Sequence, residues 1–129
     1  MRVLLDTHVA LWALADDDRL GPRGREAILD PRIEVWVSSV SVWEIAIKFA
    51  LGKASAPSIS AEEALHAFRS AGFKLLPMTP EHAIEVERLP AARSDPFDRM
   101  LIAQARAEPM HFITADAKIV ALGGDIIRI

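Results

Sequence analysis

Five short apolar runs, set apart by segments of helical length, constrain this chain more than any other feature. They occupy residues 3–5 (VLL), 33–37 (IEVWV), 73–76 (FKLL), 111–114 (HFIT) and 126–129 (IIRI). Each is too short for a stable helix, and the second is rich in β-branched and aromatic residues, so all five read as strands. Strands alternating with helices predict an α/β chain. The expected architecture is a central parallel sheet of about five strands covered by helices on both faces, a three-layer α/β/α sandwich.

The intervening segments carry helix signals. Residues 9–15 (VALWALA) favour helix and end in Asp16-Asp17-Asp18, read as a solvated loop. Gly21-Pro22 opens a second short helix that Asp30-Pro31 stops. A long helix follows over residues 40–53, with Gly52 near its end and Glu44 in its first turn. After a small-residue loop, Ser60 and Glu63 have capping-box spacing for a helix ending near Gly72. Thr79-Pro80 starts another that runs to Pro90; residues 91–94 connect it to a helix beginning at Asp95-Pro96 and stopped by Pro109. Asp116 leads into a last short helix, and Gly123-Gly124 turns the chain into the fifth strand.

A length of 129 residues with 51% hydrophobic content suits one domain with a real core. The net charge of −3 offers no global attraction to nucleic acid, so any such role must be local and metal-assisted. The absence of cysteine excludes disulfides, thiolate zinc sites and cysteine nucleophiles. Asp6 and His8 interrupt what would be a signal peptide's apolar region, and no apolar run approaches the ~20 residues of a membrane span. A soluble, cytoplasmic protein is expected.

The opening R-V-L-L-D-T-H ends a strand at a carboxylate, Asp6. In an open α/β sheet, ligands bind beyond the carboxyl ends of the strands. Glu44, Asp98 and Asp116 are expected at the same edge. Each acid also has a structural explanation: Asp6, Asp95 and Asp116 stand where they would cap helices, Asp98 falls in a first helical turn, and Glu44 follows Ser41 at capping-box spacing. Lys48 also offers Glu44 a helical partner four residues on, a surface pair of only ~0.3–0.5 kcal/mol. Caps do not require four carboxylates at one edge. Gathered there, they would repel one another unless hard cations neutralised them or some stayed protonated. An all-oxygen cluster selects Mg²⁺ or Mn²⁺ over zinc, and such sites cleave phosphodiesters.

The ordered set L-L-D-T-H, S-S-V-S-V-W-E-I-A-I-K, D-P-F-D-R-M-L-I-A-Q-A and I-T-A-D resembles the PIN-domain family, and within it the VapC-type toxins of type II toxin–antitoxin pairs. The resemblance spans nearly the whole chain. It implies a Mg²⁺-dependent endoribonuclease using one or two ions, with Mn²⁺ as a substitute, in which metal-activated water cuts RNA to leave 5′-phosphate and 3′-hydroxyl ends. Asp6, Glu44, Asp98 and Asp116 match the family's four acidic positions as metal ligands and catalytic residues, and Thr114 matches a hydroxyl residue that supports the last acid. Thr7, Asp95 and Arg99 are further supporting candidates. Asp95 competes with Asp98 as ligand; Asp98 is preferred, with Asp95 as cap. Implied partners are RNA, a second copy of the chain, and a VapB-like antitoxin whose C-terminal segment covers the acidic cleft with a basic side chain.

His8, His66, His82 and His111 are scattered and read as surface or packing residues, with His8 the one nearest an acid. Arg93 and Arg99 flank the expected site and would suit an RNA backbone. Trp12 and Trp43 read as core or subunit-interface residues. Two other classes compete: a catalytically silent PIN-like module that binds RNA or protein, and an Mg²⁺-dependent aspartyl phosphotransfer or phosphatase domain. The second wants another acid two residues after Asp6, where His8 stands.

Overall fold

The strand that begins the chain is closed to solvent on both faces. In the computed structural model, which describes residues 1–90, 95–120 and 125–129, Val3, Leu4 and Leu5 of β1 (Arg2–Leu5) are completely buried. Side chains of a strand alternate between faces, so a strand apolar at consecutive positions needs cover on both sides. Val3 and Leu5 enter one core cluster and Leu4 the other. The same alternation holds in β2 (Glu34–Ser38), where Val35 and Val37 oppose Trp36, and in β4 (His111–Thr114), where Ile113 opposes Phe112.

β1 lies at the centre of a five-stranded sheet of order β3-β2-β1-β4-β5, with β3 at Lys74–Leu76 and β5 at Ile126–Arg128. All four pairings are parallel. Leu4 aligns with Trp36 on one side and with Phe112 on the other. The expected parallel sheet with helices on both faces is therefore present. Strand order reverses on either side of β1, which makes the ends of β1 and β4 the switch point where such sheets open a crevice.

One layer contains α1 (Thr7–Ala15), α2 (Gly21–Leu29) and α4 (Ala61–Ser70), through Val9, Ala64 and Phe68. The other contains α5 (Pro80–Glu85), α6 (Pro96–Ala107) and α7 (Ala117–Val120), through Leu101, Ile102 and Ile119. The long α3 (Ser39–Leu51) serves both, giving Ile45 to the first cluster and Val40 to the second. It thus lies where the layers meet.

Most caps follow the sequence. Ser60 and Glu63 form the expected capping box, Thr79 caps α5 with Pro80 first, and Gly52 ends α3 in the left-handed region at φ 64°. Three expectations are corrected. The first helix begins at Thr7, two residues early, because Asp6 already turns the backbone and its carbonyl accepts from Ala10 N–H at 2.9 Å. The acidic run is not only a loop: Asp17 accepts from Arg19 N–H and caps a 3₁₀ turn over Asp18–Leu20. Glu44 is not in a first turn, because α3 starts at Ser39 under the cap of Ser38, whose Oγ accepts from Val40 N–H at 2.9 Å. The connector at 91–94, with Arg93, and the Gly123-Gly124 turn lie outside the described residues. Among the described residues, no helix is long and apolar enough to cross a membrane.

Phe112 is among the largest fully buried side chains and sits on the central strand pair. Phe112→Ala is expected to lower unfolding free energy by about 3–5 kcal/mol in urea titrations, whereas Ser60→Ala at the exposed capping box should cost only about 1 kcal/mol.

Candidate active site

Asp6 extends the central ladder by one bond, its N–H reaching Ile113 carbonyl at 2.9 Å, and then leaves β1 at the carboxyl edge. The side chain is 5% exposed and makes no capping bond to α1, so the cap explanation fails for this acid. Instead Thr114, at the end of β4, donates its hydroxyl to Asp6 Oδ2 at 2.8 Å. The same Thr114 oxygen accepts from Asp116 N–H at 3.1 Å. One hydroxyl between neighbouring strand ends therefore holds the first acid by its carboxylate and the last by its backbone.

Glu44 is 3% exposed, a depth at which an ionised carboxylate needs partners. It has two. Thr7 Oγ1 lies 2.7 Å from Oε1, and Lys48 Nζ pairs with Oε2. Thr7 Oγ1 is also 2.8 Å from Ser41 Oγ, and because a threonine hydroxyl has one proton, the consistent assignment is Ser41 donating to Thr7 and Thr7 to Glu44. Ser41 was expected to pair with Glu44 through a capping box; it acts through Thr7 instead. The signal was its spacing, since positions i and i+3 share a helical face. The Lys48 pair was expected at the surface, yet Glu44's side chain is only 4% exposed and Lys48's 36%.

Asp98 stands half-buried in the first turn of α6, and among the described residues no donor reaches its carboxylate. Burial pushes its pKa up to about 7, helped by the negative charges of Asp6, Asp95, Glu44 and Asp116. The charges of Asp6, Glu44 and Asp116 thus all act on Asp98 in the same direction, after burial. Burial also raises Asp6, against the Thr114 hydrogen bond and the charge of His8, which favour its carboxylate. At Lys48 burial opposes the ammonium, but the hydrogen bond to Glu44 and the charges of Glu44, Asp95 and Asp98 prevail and raise its pKa.

The other candidates divide. Asp95 accepts from Phe97 N–H at 2.7 Å and is the cap of α6. Asp116 is exposed and accepts from Lys118 N–H at 2.9 Å, so it caps α7 while lying near Asp98. Arg99 donates to Pro90 carbonyl at 2.9 Å, a backbone tether. His8 is exposed and leans on Trp12, ring centroids 6.3 Å apart. Of the tryptophans expected in the core or a subunit interface, Trp12 packs against the first core cluster, while Trp43 is 57% exposed and so outside the core, its ring edge-on to Phe97 at 5.0 Å. His82 is fully buried, accepting from Thr79 N–H at Nδ1 and meeting Glu108 at Nε2, 2.7 Å away. Gln104, buried beside it, ties Ser38 to His82 and so braces α3 against α6; sequence reasoning passed over this residue.

Whether these acids suit a cation turns on their chemistry. The donors are carboxylate oxygens, the set preferred by Mg²⁺ and Mn²⁺, and Asp98 has no donor among the described residues to offset its charge. Among the described residues, no three acid or histidine side chains lie close enough to hold an ion as they stand. Glu44 explains part of this, both its oxygens being engaged by Thr7 and Lys48. The residues fit the group in kind.

The family model for the PIN domain matches residues 3–124, and the chain belongs to that family. No curated protein matches the sequence. Among solved structures, VapBC2 from Rickettsia felis bound to a DNA fragment from its promoter superposes with TM-score 0.74 at 14% identity, covering 99% of this chain and 98% of that one. VapBC-5 from Mycobacterium tuberculosis, a member of the VapBC toxin–antitoxin family, gives 0.64 at 24% identity over 99% and 98%. FitAcB from Neisseria gonorrhoeae gives 0.64 at 18% over 98% and 96%. At these identities the likeness is one of fold.

A carboxyl whose folded pKa lies above its unfolded value binds its proton more tightly in the folded protein, so stability falls as pH rises between the two. For Asp98 that window runs from 3.8 to about 7, and the raised Asp6 acts with the same sign. Thermal melts in chelator should therefore show stability declining through this window, and Asp98→Asn should flatten the decline. An unchanged slope in Asp98→Asn would contradict the assigned environment.

Proposed function

We propose that the protein is a divalent-metal-dependent endoribonuclease of the VapC type, the toxin of a toxin–antitoxin pair, acting in the cytoplasm. The observation that supports this reading is Asp98: a half-buried acid with no donor among the described residues, its pKa held up to about 7 by burial first and then by the negative charges of Asp6, Asp95, Glu44 and Asp116. Asp6, Glu44, Asp98 and Asp116 would hold one or two Mg²⁺ ions, with Mn²⁺ as a substitute. A bound divalent cation supplies a water of lowered pKa and neutralises charge developing on a phosphate.

The chain's own residues prepare that site. The Thr114 hydroxyl fixes the rotamer of Asp6, and the Ser41–Thr7 relay does the same for Glu44. Each hydrogen bond to a carboxylate contributes about 1.5–3 kcal/mol and favours its ionised, ligating form. The acids exclude a second anion until cations are present, which makes RNA entry depend on metal.

A groove of about 1040 Å³ adjoins Thr7, Glu44 and Lys48 and continues over Leu11, Trp12 and Ile45. An amphipathic segment of a VapB-like antitoxin would lay its apolar face there and direct a basic side chain at the acids, forming a charge-assisted pair. VapBC2 and VapBC-5 are toxin–antitoxin complexes of this same fold, which supports the partner. A homodimer follows from the same resemblance.

Asp6→Asn removes charge without volume. It is expected to reduce Mg²⁺-dependent cleavage of single-stranded RNA by about 10³-fold, the equivalent of several kcal/mol of lost charge stabilisation, with cooperative folding retained. Undiminished cleavage by the pure variant would refute the site; a metal titration that elicits no cleavage from the parent protein would favour the silent binding module. Co-expression with the product of an adjacent short reading frame should yield a stable complex in which cleavage is suppressed.

A further inference from the structure

Among the described residues Lys48 is the lysine that forms an ion pair with one of these acids, and its position sets a competition. Its ammonium pairs with Glu44 Oε2 while Thr7 bonds Oε1, so each oxygen already has a partner and a cation approaching Oε2 meets the ammonium there. The negative charges of Asp95 and Asp98 act on the same ammonium. Glu44 is nearly inaccessible, so this is not a screened surface pair that could form or vanish without consequence. Without Lys48 the buried carboxylate would lose half its compensation. Yet the Lys48 side chain is 36% exposed, on a flexible four-carbon stem, and it borders the groove that runs from Glu44 past Trp12.

Resting on the metal-dependent reading above, we propose that Lys48 is an exchangeable counterion: it neutralises Glu44 in the metal-free protein, yields that oxygen to a divalent cation, and then presents its ammonium to a phosphate of the RNA at the groove's edge. Two positive charges compete for one oxygen, so metal affinity includes the work of removing Lys48. The displaced ammonium stays tethered within reach of the cleft. There it finds the one anion that arrives with the metal, the nucleic-acid backbone, which lysine binds as a point charge. The exchange would thus couple metal entry to substrate capture without any rearrangement of backbone.

The test uses the full chain and Lys48→Met, which keeps length and apolar stem. Mn²⁺ binding, followed by electron paramagnetic resonance of free Mn²⁺ and by the thermal shift it causes, should tighten about tenfold, because no charge-assisted bond must break. In the metal-free state the same variant should melt lower. Binding of a labelled single-stranded RNA to the Mn²⁺-loaded variant at 4 °C should weaken, with the slope of log affinity against log salt reduced by about 0.7, one phosphate contact. Unchanged or weaker Mn²⁺ binding would overturn the exchange, since a lysine that merely braces Glu44 would be needed by the metal site. An unaltered salt slope would overturn the phosphate contact. If Lys48→Met fails to fold, Lys48→Gln, which retains a neutral donor to Glu44, reads the same quantities. A parent protein that binds no Mn²⁺ would instead refute the metal-dependent reading itself.

Discussion

Everything in this molecule depends on a central strand that is apolar on both faces. Val3, Leu4 and Leu5 are each fully buried, and their burial can be satisfied only by helices above and below. Covering a sheet on both sides with consecutive crossovers makes its strands parallel. Parallel strands end at one edge. That Thr114 can hold both Asp6 and the backbone of Asp116 is a geometrical outcome of that packing, and the electrostatic cost of bringing acids to this edge is borne by an architecture stabilised elsewhere.

How that cost is met distinguishes the acids from one another. Glu44, the deepest with Asp6, has a hydroxyl relay and an ammonium. Asp6 has the Thr114 hydroxyl and the influence of His8. Asp116, exposed, is tied to the start of α7 and needs little else. Asp98 has no donor among the described residues, and burial, then the neighbouring negative charges, raises its proton affinity. The cluster is a graded series of solutions to the same repulsion.

Much of this was legible in the residues. The two-faced apolar runs announced a parallel sheet, and the Ser60-Glu63 and Thr79-Pro80 signals located helix starts because capping is a local interaction. The parts misread were those decided by tertiary contacts. Glu44 was assigned to a first turn because Ser41 stands three residues before it, but the cap went to Ser38, which Gln104 also holds from α6. The Lys48 pair looked superficial because spacing along a helix reveals a partner but not its depth. For Trp43 the sequence left core and subunit interface both open, and its 57% exposure beside Phe97 removes the core alternative. Burial of single side chains is a property of three-dimensional company, and a periodicity carries little of it.

The hydroxyl of Thr114 and the carboxylate of Asp6 meet across 108 positions of sequence. Chains are made from the N-terminus, so Asp6, Glu44 and their relay exist while the fourth strand is still unwritten. An incomplete chain cannot orient its first acid. The pocket is therefore a property of the finished polypeptide alone, and a protein fragment ending before residue 114 would have the charges of the site without its order.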